Sequence, residues 1–106
     1  MHCIHCNKSL IKLIIEGDFG ADPLWCGQCL ANLELDDLLL SDSLITELTA
    51  WMCDFGEWID IEKDSFIEGT EHLAQEHDKR GAQLAQKVAD ELGAGVTVTF
   101  RPYLTH

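Results

Sequence analysis

Two CxxC pairs are the residues of this 106-residue chain whose types and spacing most clearly predict chemistry. The pairs are Cys3-x-x-Cys6 and Cys26-x-x-Cys29, and nineteen residues separate Cys6 from Cys26. This spacing is typical of a site with four thiolate ligands. Each CxxC turn brings two sulfurs to one point, and two turns complete a tetrahedron with Zn–S bonds of about 2.3 Å. We therefore expect Cys3, Cys6, Cys26 and Cys29 to bind one structural Zn²⁺ ion.

Two other uses of paired cysteines compete with zinc. A redox-active CxxC pair usually lies where a strand meets a helix N-terminus, which lowers the pKa of one thiol. No strand–helix–strand pattern surrounds either pair here. A rubredoxin-like iron site uses the same four thiolates, but its usual Cys-Pro-x-Cys-Gly arm is absent. Zinc is therefore the metal that the sequence favours.

Other groups that bind metals or react as nucleophiles have weaker support. Cys53 stands alone on the predicted first helix, and a free cysteine is usually a small buried side chain, so we expect burial. Segment 71–78 holds two histidines among three acidic residues, a composition that could bind a second metal. However, His72 and His77 are five residues apart, whereas a zinc-binding HExxH helix needs four. A solvated acidic helix face is the expected structure of this segment.

The charge of the chain is strongly negative and unevenly distributed. The formal net charge is −12, and residues 34–78 hold fourteen acidic residues against one lysine, a net charge of −13. Residues 1–33 sum to −1 and residues 79–106 to +2. Because nucleic-acid binding usually needs a basic face that releases counterions, a nucleic-acid partner is disfavoured. A protein partner with a basic surface is the complementary expectation.

The expected location is the cytoplasm. No apolar run approaches the 18 residues of a membrane span, and no basic segment followed by an apolar stretch marks a secretory signal. Thiols in a reducing compartment stay available as metal ligands. None of the phosphate-binding or nucleophile motifs of common enzymes is present, so we expect a protein that is not an enzyme.

The pattern of apolar residues predicts an α+β fold. Segments 10–15 and 32–35 suit strands, which would make residues 1–40 a zinc ribbon of two hairpins around the four-cysteine site. A treble clef, in which a helix begins at the second CxxC pair, is the alternative. Residues 41–106 would form an acidic helical region with a C-terminal strand, packed with the ribbon as one unit.

Two amphipathic helices are expected in the second part. Ser41 is a suitable N-cap, and apolar steps of three and four residues predict a helix over 42–59. A second helix would begin near Asp64 or Ser65 and end at Gly93. The alternation over 96–100 predicts a strand, which we expect to pair with a strand of the ribbon.

The first helix also offers a candidate surface for a partner. Trp51 and Trp58 are seven residues apart, and Asp54 lies between them. Tryptophan is enriched at interface hot spots, so Trp51, Asp54 and Trp58 form the predicted partner-binding residues. Packing in the core is the alternative use of the two tryptophans.

The two CxxC pairs give residues 1–35 a resemblance to the zinc-ribbon class. Members of that class bind nucleic acid, join protein complexes or stabilise a neighbouring domain. The whole chain is also similar to small bacterial proteins that join a CxxC…CxxC module to a helical, acidic remainder. In common ribbons a glycine often follows the second cysteine of each pair, whereas here Asn7 and Leu30 stand in those places. Both residues would need a left-handed conformation, which is unfavourable for leucine.

These observations favour a zinc-binding, non-catalytic module for protein–protein interaction or regulation. The first alternative is a nucleic-acid-associated zinc ribbon, for which six basic residues would have to form one patch. The second alternative is a redox or metal-dependent enzyme. The basic residues in question are Lys8, Lys12, Lys79, Arg80, Lys87 and Arg101.

Overall fold

The computed structural model describes residues 1–104 and has the expected α+β fold. A four-stranded sheet and a separate two-stranded hairpin accompany two α-helices. A short 3₁₀ helix, Leu35–Asp37, precedes the first α-helix. In chain order the elements are β1 (Lys12–Ile15), β2 (Leu24–Cys26), β3 (Asn32–Leu33), α1 (Asp42–Cys53), β4 (Ile59–Asp60), β5 (Ser65–Phe66), α2 (Glu71–Leu92) and β6 (Thr97–Phe100).

The central strand β1 joins the two ends of the chain in the order β3-β2-β1-β6. It runs antiparallel to β2, with Leu13 opposite Cys26, and parallel to β6, with Leu13 opposite Val98. The prediction that the last strand pairs with a strand of the N-terminal part is therefore confirmed. Because side chains alternate across a strand, Leu13 and Ile15 share one face, and both are fully buried.

The buried face of the sheet packs on the helices. Helix α2 lies against β6 and α1 packs on α2. One core cluster contains Cys3 and Leu13 from the first forty residues as well as Leu48 and Val88 from the rest. None of the helices within residues 1–104 is long and apolar enough to cross a membrane.

The first helix ends earlier than its apolar stripe predicts. The stripe extends to Ile59, but α1 stops at Cys53, and Ile59 belongs to β4. The prediction of a helix to residue 59 is wrong because Gly56 takes a φ of +89°. A Cβ at Gly56 would lie 2.3 Å from the ring of Phe19, so the close contact of that ring also requires glycine.

The second helix begins later than expected. Ser65 and Phe66 pair with β4 as strand β5, and α2 starts only at Glu71. Gly69, with a φ of +80°, lies between the two elements and breaks the helical pattern. The predicted ends at Ser41 and Gly93 are confirmed: the Ser41 hydroxyl accepts from the Leu44 N–H, and Gly93 has a φ of +80°.

Strand β3 decides between the two arrangements proposed for the N-terminal part. The second CxxC pair leads from β2 into β3, and no helix begins there within the described residues. An isolated bridge between His2 and Ser9 closes the turn of the first pair. The hairpin arrangement of a ribbon therefore describes this part better than a treble clef.

Candidate functional site

The two CxxC turns have the same backbone hydrogen-bond pattern. In each turn the first cysteine donates its N–H to the carbonyl five residues later and accepts from the N–H four residues later. The bonds are Cys3 N to Lys8 O (2.9 Å), Asn7 N to Cys3 O (2.8 Å), Cys26 N to Ala31 O (2.9 Å) and Leu30 N to Cys26 O (2.9 Å). This repeated geometry presents two sulfurs from each turn to the same point.

The left-handed conformation predicted for Asn7 and Leu30 is present. Their φ values are 56° and 64°. Asparagine tolerates this region, whereas a left-handed leucine costs about 1–2 kcal/mol. The Leu30 side chain is also 57% exposed, so it adds no core packing that would offset this strain. Closure of the second turn around the sulfurs therefore has to stabilise it.

The four sulfurs form a compact cluster. All four Sγ atoms lie within 4.8 Å of one another, and those of Cys3 and Cys29 are 3.6 Å apart. A tetrahedron with Zn–S bonds of about 2.3 Å has edges of about 3.8 Å, close to that distance. The backbone N–H of Gln28 also donates to the Cys26 Sγ (3.4 Å), as expected for a metal-binding thiolate. The donor set and its size fit a zinc ion.

The electrostatics of the cluster favour a bound cation. Hydrogen bonds to the Cys3 sulfur, of which the one from the Cys6 backbone has the largest effect, lower the pKa of Cys3 to about 6, although burial acts in the opposite direction. At Cys29 a hydrogen bond from the backbone of Ala31 lowers the pKa, but desolvation and the neighbouring sulfurs together raise it to about 11. Four thiols this close resist full ionisation, because like charges oppose each other. A divalent cation would offset the repulsion between the thiolates, so metal binding would release protons from the cysteine thiols.

The site lies where the core meets solvent. Cys3 and Cys26 are buried, Cys6 is half-buried and Cys29 is exposed. Strand β2 ends at Cys26, so one of the four cysteines belongs to the central sheet itself. Among residues 1–104 these four residues are the one group with the geometry to hold a metal ion.

Two expectations for other reactive residues are wrong. Cys53 is exposed, not buried: it is the last residue of α1 and lies on a different face from the buried Trp51. Segment 71–78 is solvated at Glu71, His72 and Glu76, as expected, but His77 departs from this expectation because it is only 3% exposed. Its Nε2 atom lies 2.9 Å from the Trp51 carbonyl oxygen, and the Trp51 indole N–H donates to the His77 carbonyl (2.8 Å).

The two tryptophans of the predicted partner site are core residues. Trp51 is 1% exposed and Trp58 is fully buried, and Trp58 lies beyond the end of α1. Neither indole can form a surface patch in this conformation. Asp54 is part-exposed, and its carboxylate accepts from the Arg80 guanidinium at 3.0 Å. Whether Asp54 contacts a partner stays a prediction.

An aromatic cluster surrounds His77 instead. The imidazole stacks on Trp51 with ring centres 4.2 Å apart, and Trp58 lies 5.1 Å away. Tyr103 contacts Trp58 edge-on at 5.2 Å, which ties the end of the chain to the cluster. Among residues 1–104 the Trp58 indole N–H has no hydrogen-bond partner, so ring contacts hold this side chain. Sequence reasoning missed the cluster because its members come from distant segments.

A second feature that sequence reasoning missed is the acidic hairpin, residues 57–68, which contains β4 and β5. It carries five acidic residues and one lysine. Residues 61–69 are all exposed. Three apolar side chains stand among these charges: Ile61 (74% exposed), Ile67 (42%) and Phe66 (39%). The sequence pattern predicts no hairpin here, but the end of the first helix, a connector over 60–63 and the start of the second helix.

Comparison with known proteins identifies a family. The family model described as Serratia CdiI immunity protein-like matches residues 11–103, almost the whole chain. No curated protein matches the chain. CdiI immunity proteins are non-catalytic toxin inhibitors, so the expectation of a protein that is not an enzyme is confirmed. The match begins after Cys3 and Cys6, so two of the four cysteines lie outside it. Support for the four-cysteine site therefore comes from this chain's own geometry.

Proposed function

Because this chain belongs to the Serratia CdiI immunity protein-like family, we propose that it binds a CdiA toxin and thereby inhibits it. The family match over residues 11–103 is the observation that carries the proposal. Inhibition by a non-catalytic protein requires a stable complex that covers the functional surface of the toxin. In this proposal the CdiA toxin is the partner of the predicted protein–protein interaction module, and inhibition of the toxin is its role.

The charge of the chain supports a basic surface on the toxin. Three ion pairs join residues within the described part, and they use the acidic residues Glu16, Glu47 and Asp54. Most of the nineteen acidic residues therefore remain uncompensated. Complementary charge accelerates encounter and selects the correct partner. Fast capture suits an inhibitor that acts in the cytoplasm, where we place this function.

The four-cysteine site has a structural role in this proposal. Cys3, Cys6, Cys26 and Cys29 would hold Zn²⁺, which supplies charge neutralisation and a four-way link between the two turns. The buried ligands Cys3 and Cys26 belong to the core cluster, so a bound ion would also fix the edge of the core. Metal content measured on protein purified without chelator tests this part, and one zinc per chain is the expected result.

The two alternative functions that the sequence left open have weaker support. Arg80, Lys87 and Arg101 each lie within 4.0 Å of a carboxylate, which reduces the basic patch that a nucleic-acid ribbon would need. A redox or metal-dependent enzyme conflicts with a family of non-catalytic inhibitors.

Growth protection tests the proposed function directly. Cells that express the cognate CdiA toxin domain from an inducible promoter should stop growing, and co-expression of this chain should restore growth. A different family member that does not match this toxin is the control and should give no protection. Continued growth arrest in the presence of soluble, folded chain would contradict the proposal.

A further inference from the structure

The acidic hairpin (residues 57–68) lies largely on the surface and outside the main sheet. Strand β4 pairs with β5 alone, and neither strand joins the four-stranded sheet. Nine consecutive residues, 61–69, are exposed. The hairpin therefore has space for a partner on several sides.

Hydrogen bonds nevertheless link the turn and the base of the hairpin. The Asp60 carboxylate accepts from the backbone N–H groups of Glu62 and Lys63, at 3.1 and 3.2 Å, and so closes the turn. The Ile67 N–H donates to the Trp58 carbonyl at 2.8 Å, and the buried Trp58 ring anchors the base. A preorganised element loses little conformational entropy on binding.

The surface of the hairpin combines exposed apolar groups with unpaired negative charge. Ile61, Phe66 and Ile67 are each at least 39% exposed. Within residues 1–104 none of the five hairpin acids forms an ion pair. Three exposed apolar side chains within seven residues favour an interaction surface, and concentrated like charge destabilises the free protein. A partner with a basic, partly apolar surface would compensate for both.

We infer that the acidic hairpin is the element that contacts the toxin, and that it occupies a basic cleft in which the toxin binds nucleic-acid phosphates. This inference rests on the proposed function. A cleft that binds a polyanion is lined by lysine and arginine, and the closely spaced phosphates of nucleic acid require many of them. The five acidic residues against one lysine in the hairpin are the matching counterpart. A hairpin that carries this charge excludes the substrate from the cleft.

A matched pair of charge variants tests the inference. The hairpin variant is Glu57→Gln, Glu62→Gln and Glu68→Gln, with Asp60 kept because it closes the turn. The control is Glu34→Gln, Asp36→Asn and Asp37→Asn, which removes the same charge from exposed positions outside the hairpin. Circular dichroism establishes that both variants are folded. Binding to the purified cognate CdiA toxin domain is then measured by biolayer interferometry at salt concentrations of about 50 and about 300 mM, which bracket the range over which exposed charges are screened.

The hairpin variant should associate with the toxin about tenfold more slowly at low salt, and the control by less than about twofold. The difference should shrink at high salt, because exposed charges are screened. In the same assay a single-stranded RNA or DNA oligonucleotide should bind the toxin, and the wild-type chain should displace it.

The outcomes separate the inference from the function on which it rests. No binding of the wild-type chain to the toxin would overturn the proposed function. Tight wild-type binding that both variants retain equally would overturn the role of the hairpin and leave the function intact. A hairpin-specific loss without any competition between chain and oligonucleotides would overturn the nucleic-acid cleft. Hairpin-specific loss together with competition would support the whole inference.

Discussion

The four-cysteine site and the aromatic cluster around His77 organise the same fold in opposite ways. At the four-cysteine site, small side chains from two local turns meet within 4.8 Å, and one of them is exposed. Around His77, large rings from α1, α2 and the end of the chain pack into a buried group. A bound cation would stabilise the first arrangement, whereas the second depends on ring packing and on two hydrogen bonds between Trp51 and His77. The two regions should therefore respond to different perturbations.

Removal of a metal ligand should give the largest effect. Cys26→Ser should abolish zinc binding and lower the free energy of unfolding by more than about 3 kcal/mol, because metal binding is coupled to folding. Elemental analysis and chemical denaturation measure both quantities. Cys53→Ser is the matched control, since Cys53 is exposed and lies outside the cluster. Unchanged stability of the Cys26 variant would mean that the sulfurs hold no structural ion.

The difference between the four-cysteine site and the aromatic cluster also explains which features could be predicted from the sequence. The cluster of four cysteines could be predicted because a zinc site requires fixed residue types at fixed local spacing, and the strand pairing of β6 followed from its alternation. The ends of the helices could not be placed in the same way. Gly56 and Gly69 break a continuous apolar stripe, and the contact between Gly56 and Phe19 joins residues far apart in sequence.

The burial of Trp51 and Trp58 likewise could not be predicted from the sequence. An apolar stripe indicates a face but not what covers it, so Trp51 and Trp58 suit a partner surface as well as the core. Helix α2 packs against α1 and stacks His77 on Trp51, so Trp51 lies in the core. The acidic hairpin was missed because two-residue strands leave almost no periodic signal.

The second largest effect should come from Gly81, which lets α2 approach the aromatic cluster. A Cβ there would lie 2.5 Å from the Phe100 ring and 2.8 Å from Trp51. Gly81→Ala should therefore destabilise the protein by about 1–3 kcal/mol, although alanine has the higher helix propensity. Gly95→Ala is the control, because within residues 1–104 no atom beyond the two adjacent residues lies within 4 Å of a Cβ at that position. A more stable Gly81 variant in urea denaturation would refute the tight packing.

A smaller effect is expected at the start of α1. The Ser41 hydroxyl accepts from the Leu44 N–H at 3.2 Å and donates to the Glu91 carboxylate at 2.6 Å. Ser41→Ala should cost about 1 kcal/mol, as for other N-cap residues. Ser43→Ala, two residues into the helix, should change stability much less. Equal effects of the two substitutions in denaturation would argue against the cap.

The aromatic cluster should also make stability depend on pH. Burial lowers the pKa of His77, against a hydrogen bond to Trp51 that raises it; Arg80 lowers it further, while Asp78 and Asp54 raise it. A lowered pKa in the folded state means that the unfolded chain binds the proton more readily. The stabilisation is therefore complete above the unfolded pKa of about 6.5 and is lost as pH falls below it.

Urea denaturation between about pH 7.5 and pH 5 measures this loss, because that range spans the ordinary pKa of histidine. His77→Gln should remove the part of the pH dependence that centres below about 6.5, whereas His72→Gln, at an exposed position, should leave it unchanged. Identical pH profiles for the wild type and the His77 variant would show that the histidine does not titrate as the structure requires.

Inhibition of a CdiA toxin through a stable complex is the conclusion on which the proposed roles of the charge and the hairpin depend. Isothermal titration of the zinc-loaded chain with the purified cognate toxin domain tests it most directly. We predict a one-to-one complex with a Kd below about 0.1 μM, as expected for a specific interface of standard size. No detectable binding at concentrations of about 10 μM, with both proteins folded, would contradict it.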